Sequence, residues 1–312
     1  MRSVSFFAAS LLSMTISAPA LAGAFDFFPL QSGNLWVYQT PTGHHVVQVN
    51  EGESLGGGWF ANDADGLLSG STWIYDNTDH DGMYSYSQGW SALFDFSATV
   101  GDTWEYQANP CDTFDVEVGT VDEAETPAGD FSGTTEFILS HNPDTELSCT
   151  TPPVAAISFA EGIGPVQFTD NDAGLGKLIY ARVGETVEAM APGATGSVDD
   201  LKLSLVITND RPAVADSIGV LVVLTNTSDS VETIIMPAGQ PFVIDIFERL
   251  ETTPVGTWSG GTGGVMTLDA GASHILFGEI TMESDWSGKH TFEGTLSSDA
   301  NLPSLSVNID IQ

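Results

Sequence analysis

Hydrophobic positions along this chain come in short runs that are separated by turn residues, with almost no helical periodicity. The pattern is clearest over residues 220–245. Two apolar runs there flank a polar turn at residues 226–229, and a second turn, Pro-Ala-Gly-Gln, follows at residues 237–240. Short apolar runs broken by Asn, Asp, Gly and Pro are typical of consecutive strands in an antiparallel sandwich. The sequence therefore predicts an all-β protein.

Ten further strand candidates precede this region, at residues 36–39, 45–49, 72–75, 83–87, 103–107, 114–118, 134–140, 154–159, 166–169 and 177–183. The segment that follows them, APGATGS at residues 191–197, contains only small and polar residues together with one Pro, which predicts a flexible linker. We therefore expect an antiparallel β domain over residues 23–190, a linker over residues 191–200 and a second β domain over residues 201–312.

The N-terminus has the features of a targeting segment. A basic Arg2 precedes an apolar or small run at residues 6–16, and Ala20-Leu21-Ala22 forms a small-x-small cleavage site. These features predict a signal peptide over residues 1–22. No second long apolar run follows, so we expect an exported protein, in a periplasm or outside the cell, without membrane insertion.

The charge of the chain is strongly negative, with 42 acidic against 7 basic residues and a formal net charge of −35. Residues 23–176 contain no Lys or Arg, yet 24 Asp and Glu. These carboxylates must be solvated, screened by salt or bound to cations. This charge excludes electrostatic binding to nucleic acid or to anionic membranes, and its self-repulsion predicts a monomer.

The chain has two cysteines, Cys111 and Cys149. In an exported protein an even pair predicts a disulfide, and closing a loop of this length stabilises the fold by about 3–4 kcal/mol on the chain-entropy model. The alternative is a metal site, with His141 as the nearest further ligand. The sequence favours the disulfide because no other His or Cys clusters with these three residues.

One acidic turn resembles the start of a calcium loop. Asn77, Asp79 and Asp81 alternate ahead of Gly82, and their side-chain oxygens are the ligands that Ca²⁺ prefers. The twelfth position of such a loop is Gln88, so the usual bidentate carboxylate is missing. Strand candidates on both sides favour a plain hairpin turn. We expect no cofactor, with calcium at this turn as the alternative.

The first domain contains an internal echo, GNLWVY at residues 33–38 and GDTWEY at residues 101–106. The shared frame G-x-x-W-x-Y predicts two equivalent strand starts whose Trp and Tyr share one face. The alternative interpretation is an aromatic surface that binds sugars. Neither a metalloprotease motif nor a Ser-His-Asp arrangement is supported by the spacing, so we expect a protein that is not an enzyme.

The first domain also resembles, loosely, the N-terminal regions of uncharacterised exported bacterial proteins. The shared pieces are PL at residues 29–30 with Gly33 and WVY at residues 36–38, GDTW at residues 101–104, ETPAGDF at residues 125–131 and EGIGPV at residues 161–166. This resemblance supports the β assignment and carries no chemistry.

The last third of the chain carries a more specific set of motifs. They are VVLTNTSD at residues 222–229, the segment 233–242, VIDI at residues 243–246, TWS at residues 257–259, MTLDAGAS at residues 266–273 and GKHTFEGTL at residues 288–296. Over residues 201–312 the chain thereby resembles the BsuPI family, the bacterial intracellular proteinase inhibitor domain. That resemblance implies an immunoglobulin-like β-sandwich and inhibition of serine proteases. Because binding residues are concentrated on surface loops, we expect the inhibitory contact at an exposed loop, such as residues 256–264.

Together these features predict an exported, non-enzymatic binding protein with a proteinase-inhibitor-like C-terminal domain. The expected partner is an extracytoplasmic protease. The alternative is a structural or adhesive β module of the cell surface or periplasm that has no inhibitory activity.

Overall fold

The computed structural model describes residues 27–29, 31–49, 53–56, 59–65, 72–76, 82–86, 90–109, 112–141, 154–170, 174–184, 186–249 and 251–312. All the regular elements in this part of the chain are β-strands, which confirms the all-β prediction. The predicted signal peptide lies outside the described residues. No helix among the described residues is long and apolar enough to cross a membrane.

The first fourteen strands of the described chain belong to one antiparallel sheet. They are β1 Leu35–Thr40, β2 Gly43–Val49, β3 Glu53–Gly56, β4 Trp59–Asp65, β5 Thr72–Asp76, β6 Gly82–Tyr86, β7 Trp90–Asp95, β8 Thr103–Asn109, β9 Asp112–Thr126, β10 Gly129–His141, β11 Ala156–Ala160, β12 Gly164–Asp170, β13 Gly174–Val183 and β14 Thr186–Met190. The order across the sheet is β7-β6-β5-β4-β2-β1-β13-β12-β11-β10-β9-β8, with β3 added to β4 and β14 to β13. Each of the ten strand candidates before residue 184 overlaps one of these strands.

The sheet curls until its two end strands meet. The indole Nε1 of Trp104 in β8 donates to the carbonyl of Ala92 in β7 at 2.8 Å, and the Gln107 amide donates to Ser91 Oγ at 2.9 Å. The curled sheet encloses an aromatic core, in which Phe94 and Phe159 lie with ring centroids 5.2 Å apart. Aromatic rings bury large apolar areas, so this core supplies much of the stability of the first domain.

The two echoed motifs form equivalent strand starts, as predicted. Gly33 and Gly101 precede β1 and β8 with φ of 86° and 90°, a conformation that favours glycine. Trp36 and Tyr38 are both fully buried on one face of β1, and their polar atoms donate to the Ile163 and Pro165 carbonyls, each at 2.7 Å. A sugar-binding surface at the first motif is therefore wrong, because neither ring is accessible.

The remaining ten strands form a sandwich. They are β15 Gly193–Val198, β16 Leu201–Ile207, β17 Ser217–Asn226, β18 Glu232–Met236, β19 Phe242–Glu248, β20 Gly256–Gly260, β21 Gly264–Leu268, β22 Ser273–Thr281, β23 Gly288–Leu296 and β24 Leu305–Ile311. One sheet has the order β15-β16-β17-β22, and the facing sheet has the order β20-β19-β23-β24. Among the described strands, β18 and β21 pair only with each other, and they form a two-stranded ribbon. The predicted strands at residues 220–245 are present as β17, β18 and β19.

The segment expected to be a flexible linker is instead a strand. Residues Gly193–Val198 form β15, which pairs with β16 along its whole length. Its glycines make this possible: a Cβ added at Gly193 would lie 2.4 Å from the Leu205 carbonyl oxygen, and one at Gly196 would lie 2.7 Å from Pro303 Cγ. The predicted flexible linker is therefore wrong, because the small residues of this segment allow close packing within the sandwich.

The first sheet packs directly on the sandwich. A separate apolar cluster joins Leu35, Val37, Ile179 and Tyr180 of the first sheet to Val206, Leu221 and Val223 of the sandwich, with Ala191 between them. Arg182 in β13, only 2% exposed, crosses the same contact and donates from Nη2 to the carbonyls of Gly33 and Gly271. Burial lowers the pKa of the Arg182 guanidinium. The sandwich thus presents its other side, the ribbon and the facing sheet, away from the first sheet.

Candidate functional site

Two groups of predicted site residues lie outside the described residues. Cys111 and Cys149, the predicted disulfide, belong to one group. Asn77, Asp79 and Asp81, the predicted calcium turn, belong to the other. Both assignments stay predictions.

The segment 256–264, expected to be an exposed inhibitory loop, is mostly strand. Residues Gly256–Gly260 form β20 and pair with β19. Trp258 at its centre packs against Phe242 in a T-shaped arrangement, with ring centroids 6.2 Å apart. Only residues 261–263 are loop, so the expectation of a long projecting loop here was wrong: strand pairing and the Trp258 contact hold most of the segment in the sandwich.

The turn predicted at residues 237–240 is confirmed, and it lies against the short loop at residues 261–263. We call residues 237–241 together with 261–263 the tip. The Gly263 amide donates to the Gly239 carbonyl at 2.9 Å, and Ser259 Oγ donates to Gln240 Oε1. A Cβ at Gly263 would lie 1.8 Å from the Pro237 carbonyl oxygen, so the two loops are interlocked. The interlocked contacts make the tip rigid. Residues 237–240 are all exposed, so the tip is also accessible.

The ribbon next to the tip has two very different faces. Its inner face carries Ile234, Met236 and Leu268, at most 7% exposed, which pack into the sandwich core. Its outer face carries Ile235 and Val265, which are 54% and 70% exposed and stand directly opposite each other on the two strands. Val231, at 57% exposure, lies just before β18. Packing of the inner face against the sandwich core therefore holds the apolar side chains of the outer face in the solvent.

The two edges of the ribbon differ in their hydrogen bonding. The edge of β18 is covered by Asp299, whose carboxylate accepts from the Ile235 amide at 2.8 Å and whose amide donates to the Ile235 carbonyl at 3.0 Å. Strand β21 has β18 as its one strand partner among the described residues. A Cβ added at Gly264 or at Gly239 would meet no atom within 4 Å, so open space lies beside both backbones. An edge strand of this kind is a template for pairing with another chain.

The tip and the outer face of the ribbon contain no charged residue. Residues 233–244 and 252–268 are free of Asp, Glu, Lys and Arg in a chain whose net charge is −35. We call the tip and the exposed residues Val231, Ile235 and Val265 the neutral surface. Such an apolar, uncharged area is typical of a protein-binding site, because charged residues are depleted from the centres of protein interfaces.

A buried asparagine connects the neutral surface to the rest of the sandwich. Asn226 ends β17 and is fully buried. Its Nδ2 donates to the carbonyls of Ser230, Leu268 and Asp269 at 2.6, 3.1 and 3.0 Å, and its Oδ1 accepts from the Ser228 amide at 2.9 Å. The polar turn predicted at residues 226–229 is thus confirmed, and Asn226 closes it by accepting from the amide two residues on. The same side chain holds the start of β18 against the end of β21.

Comparisons with known proteins give no assignment. No protein-family model matches this chain, and no curated protein matches it.

Sequence reasoning found the turns of this region but missed the neutral surface. The usable signal was the pair of uncharged runs at residues 233–244 and 252–268, which are long for so acidic a chain. Which face of each run is exposed could not be read from the sequence, because Ile234 and Ile235 are the same residue type and face opposite ways.

Proposed function

We propose that this chain is an exported, non-catalytic binding protein whose sandwich presents the neutral surface to an extracytoplasmic serine protease. The observation that carries the proposal is the exposed, uncharged strip of Ile235 and Val265 beside a rigid tip, on a molecule that is otherwise strongly acidic. The BsuPI resemblance of residues 201–312 supports a protease as the class of partner.

The geometry supports a binding mode in which an extended segment of the protease pairs with the free edge of β21. Proteins commonly capture an extended segment by adding it to an exposed sheet edge, where main-chain hydrogen bonds supply affinity. The β21 edge offers such a row of groups, and Gly264 lets a partner backbone come close. The interlocked tip loses little conformational entropy on binding, since it is already fixed in the free protein.

The test is titration of a panel of serine proteases, including subtilisin types, with residues 23–312. We expect stoichiometric inhibition of at least one protease. The variant Ile235→Lys should weaken that inhibition by about tenfold or more, since a charge placed within an apolar interface must be desolvated.

The matched control is Val100→Lys. Val100 is 61% exposed and lies in the first domain, before β8, so its replacement adds the same charge outside the neutral surface. Equal weakening by both variants would show that net charge and not the neutral surface governs binding. Absence of inhibition across the panel would favour the adhesive or structural module.

A further inference from the structure

The few cations of this protein are unevenly placed. The chain has 7 Lys and Arg, and removal of the predicted signal peptide with Arg2 leaves 7 − 1 = 6. Three of them, Arg211, Arg249 and Lys289, line a single open cleft of about 560 Å³. Half of the six cations thus lie in one cleft, which a random distribution of charge over the surface would not be expected to produce.

The cleft lies where three segments of the sandwich end. Arg249 follows the end of β19, Lys289 lies at the start of β23, and Arg211 belongs to the connection between β16 and β17. The neutral surface lies at the other end of β19. Seven residues of strand separate the two ends, which is about 20 Å at the usual rise per residue. The cleft is therefore a different place from the proposed protease-binding surface.

Backbone hydrogen bonds hold these segments together. The Arg249 amide donates to the Lys289 carbonyl at 3.1 Å, and the Asp310 amide donates to the Asp210 carbonyl at 2.8 Å. The Gln312 amide adds a bond to the Pro212 carbonyl at 2.9 Å. The backbones that carry the three cations are thus fixed relative to one another before any ligand arrives.

The remaining lining is polar apart from Ile309. His290 and Ile309 are buried, whereas Asn308 is exposed and accepts from Thr291 Oγ1 at 2.9 Å. Two carboxylates, Asp210 and Asp310, also line the cleft. Three cations against two carboxylates leave a local charge of +1 with His neutral, on a chain whose net charge is −35.

We propose that this cleft binds a small molecule that carries a phosphate or sulfate group. Two guanidinium forks and one ammonium group match the oxygens of such oxyanions, to which Arg binds in bidentate fashion. The cleft is larger than a free ion needs and falls in the size range of small-ligand sites, so it has room for an organic body such as one sugar. Long polyanions are disfavoured because the surrounding acidic surface repels them.

The test is isothermal titration of residues 23–312 at constant ionic strength with inorganic phosphate, inorganic sulfate, glucose 6-phosphate and glucose 6-sulfate. We expect at least one of these ligands to bind with a dissociation constant of about 1 mM or lower. The exposed position of Arg249 makes Arg249→Gln a variant that should fold, and we expect it to weaken binding about tenfold or more. Lys289→Gln should do the same.

Lys177→Gln serves as the matched control, since it removes one positive charge from β13 of the first sheet. It should change the dissociation constant by less than about twofold, as expected for a distant screened charge. We expect the esters to bind more tightly than the inorganic ions, because the cleft has room for the organic body, and equal binding of esters and ions would contradict a ligand with an organic body. Equal weakening by Lys177→Gln and Arg249→Gln, no binding of any probe, or tighter binding of a long sulfated polysaccharide would overturn the proposal.

Discussion

At the scale of single residues, Asn226 stabilises more of the sandwich than its position in a polar turn predicts. A turn residue would be expected to satisfy its own backbone and face solvent. Here the side chain is fully buried and bonds to two separate segments, the turn after β17 and the end of β21. The presence of Asn226 in the motif at residues 222–229 is therefore explained by its hydrogen bonds within the sandwich.

Replacement of Asn226 should be costly. Asn226→Ala removes the donor of the buried Leu268 carbonyl and of the partly buried Asp269 carbonyl, so we expect a loss of about 2–3 kcal/mol in the free energy of unfolding. Urea denaturation measures this loss. Asn308→Ala, which changes an exposed asparagine, should cost no more than about 0.5 kcal/mol. Similar losses in the two variants would show that Asn226 does not stabilise the sandwich by joining the turn after β17 to the end of β21.

His44 links the first sheet to the sandwich and makes this contact sensitive to acid. Its ring stacks on Phe277 with centroids 4.3 Å apart, and its buried Nε2 has no hydrogen-bond partner among the described residues. Burial lowers the pKa of His44 below 6.5, and the Glu279 carboxylate opposes this shift in part. Because the unfolded chain binds the proton at higher pH than the folded chain does, stability falls as the pH drops through 6.5.

We expect His44→Phe to reduce this loss of stability on acidification. The measurement is the free energy of unfolding at about pH 7.5 and about pH 5, on either side of the ordinary histidine pKa. Part of the loss should remain in the variant, because burial also lowers the pKa of His274. An unchanged difference between the two pH values would contradict the assignment to His44.

At the scale of elements, β17 explains why its sequence is apolar without alternation. Val220, Val222 and Leu224 face the sandwich core, whereas Leu221 and Val223 face the first sheet. A strand buried on both faces reads as a continuous hydrophobic run. The strand is thus shared between two cores.

We expect Leu221→Ala to destabilise the whole chain and not only the sandwich. Removing a buried Leu side chain costs about 2–4 kcal/mol, and here the cavity would open between the first sheet and the sandwich. In thermal unfolding of the variant, the first sheet and the sandwich should unfold at different temperatures, which would appear as a second transition. Ile235→Ala, in the exposed strip, should change stability by no more than about 0.5 kcal/mol. A single unshifted transition in Leu221→Ala would show that the contact contributes little.

The positions of the strands were only partly predictable from the sequence, and their pairing was not predictable at all. Apolar runs and turn residues located β17, β18 and β19, whereas the pattern cannot say that β17 pairs with β16 and β22 and leaves β18 to β21. The strand β15 was missed because its glycines have low strand propensity and are used only for close approach to neighbours. Long-range packing decides both features, and local sequence does not report it.

At the scale of the whole molecule, the distribution of charge separates the surfaces. Carboxylates cover a chain of net charge −35, and two areas depart from that background: the neutral surface at one end of β19 and the cationic cleft at the other. Residues 23–176 hold 24 of the acidic residues without any Lys or Arg. Repulsion from this half should keep copies of the chain apart and leave the two exceptional areas open to other partners.

The proposed binding of a serine protease by the neutral surface is tested most directly by comparing inhibition by residues 23–312 with inhibition by the variant Val265→Lys. Val265 is 70% exposed, so the substitution should leave the fold intact. We expect stoichiometric inhibition by the unsubstituted chain and at least about tenfold weaker inhibition by Val265→Lys. Inhibition of equal strength by both proteins would contradict it.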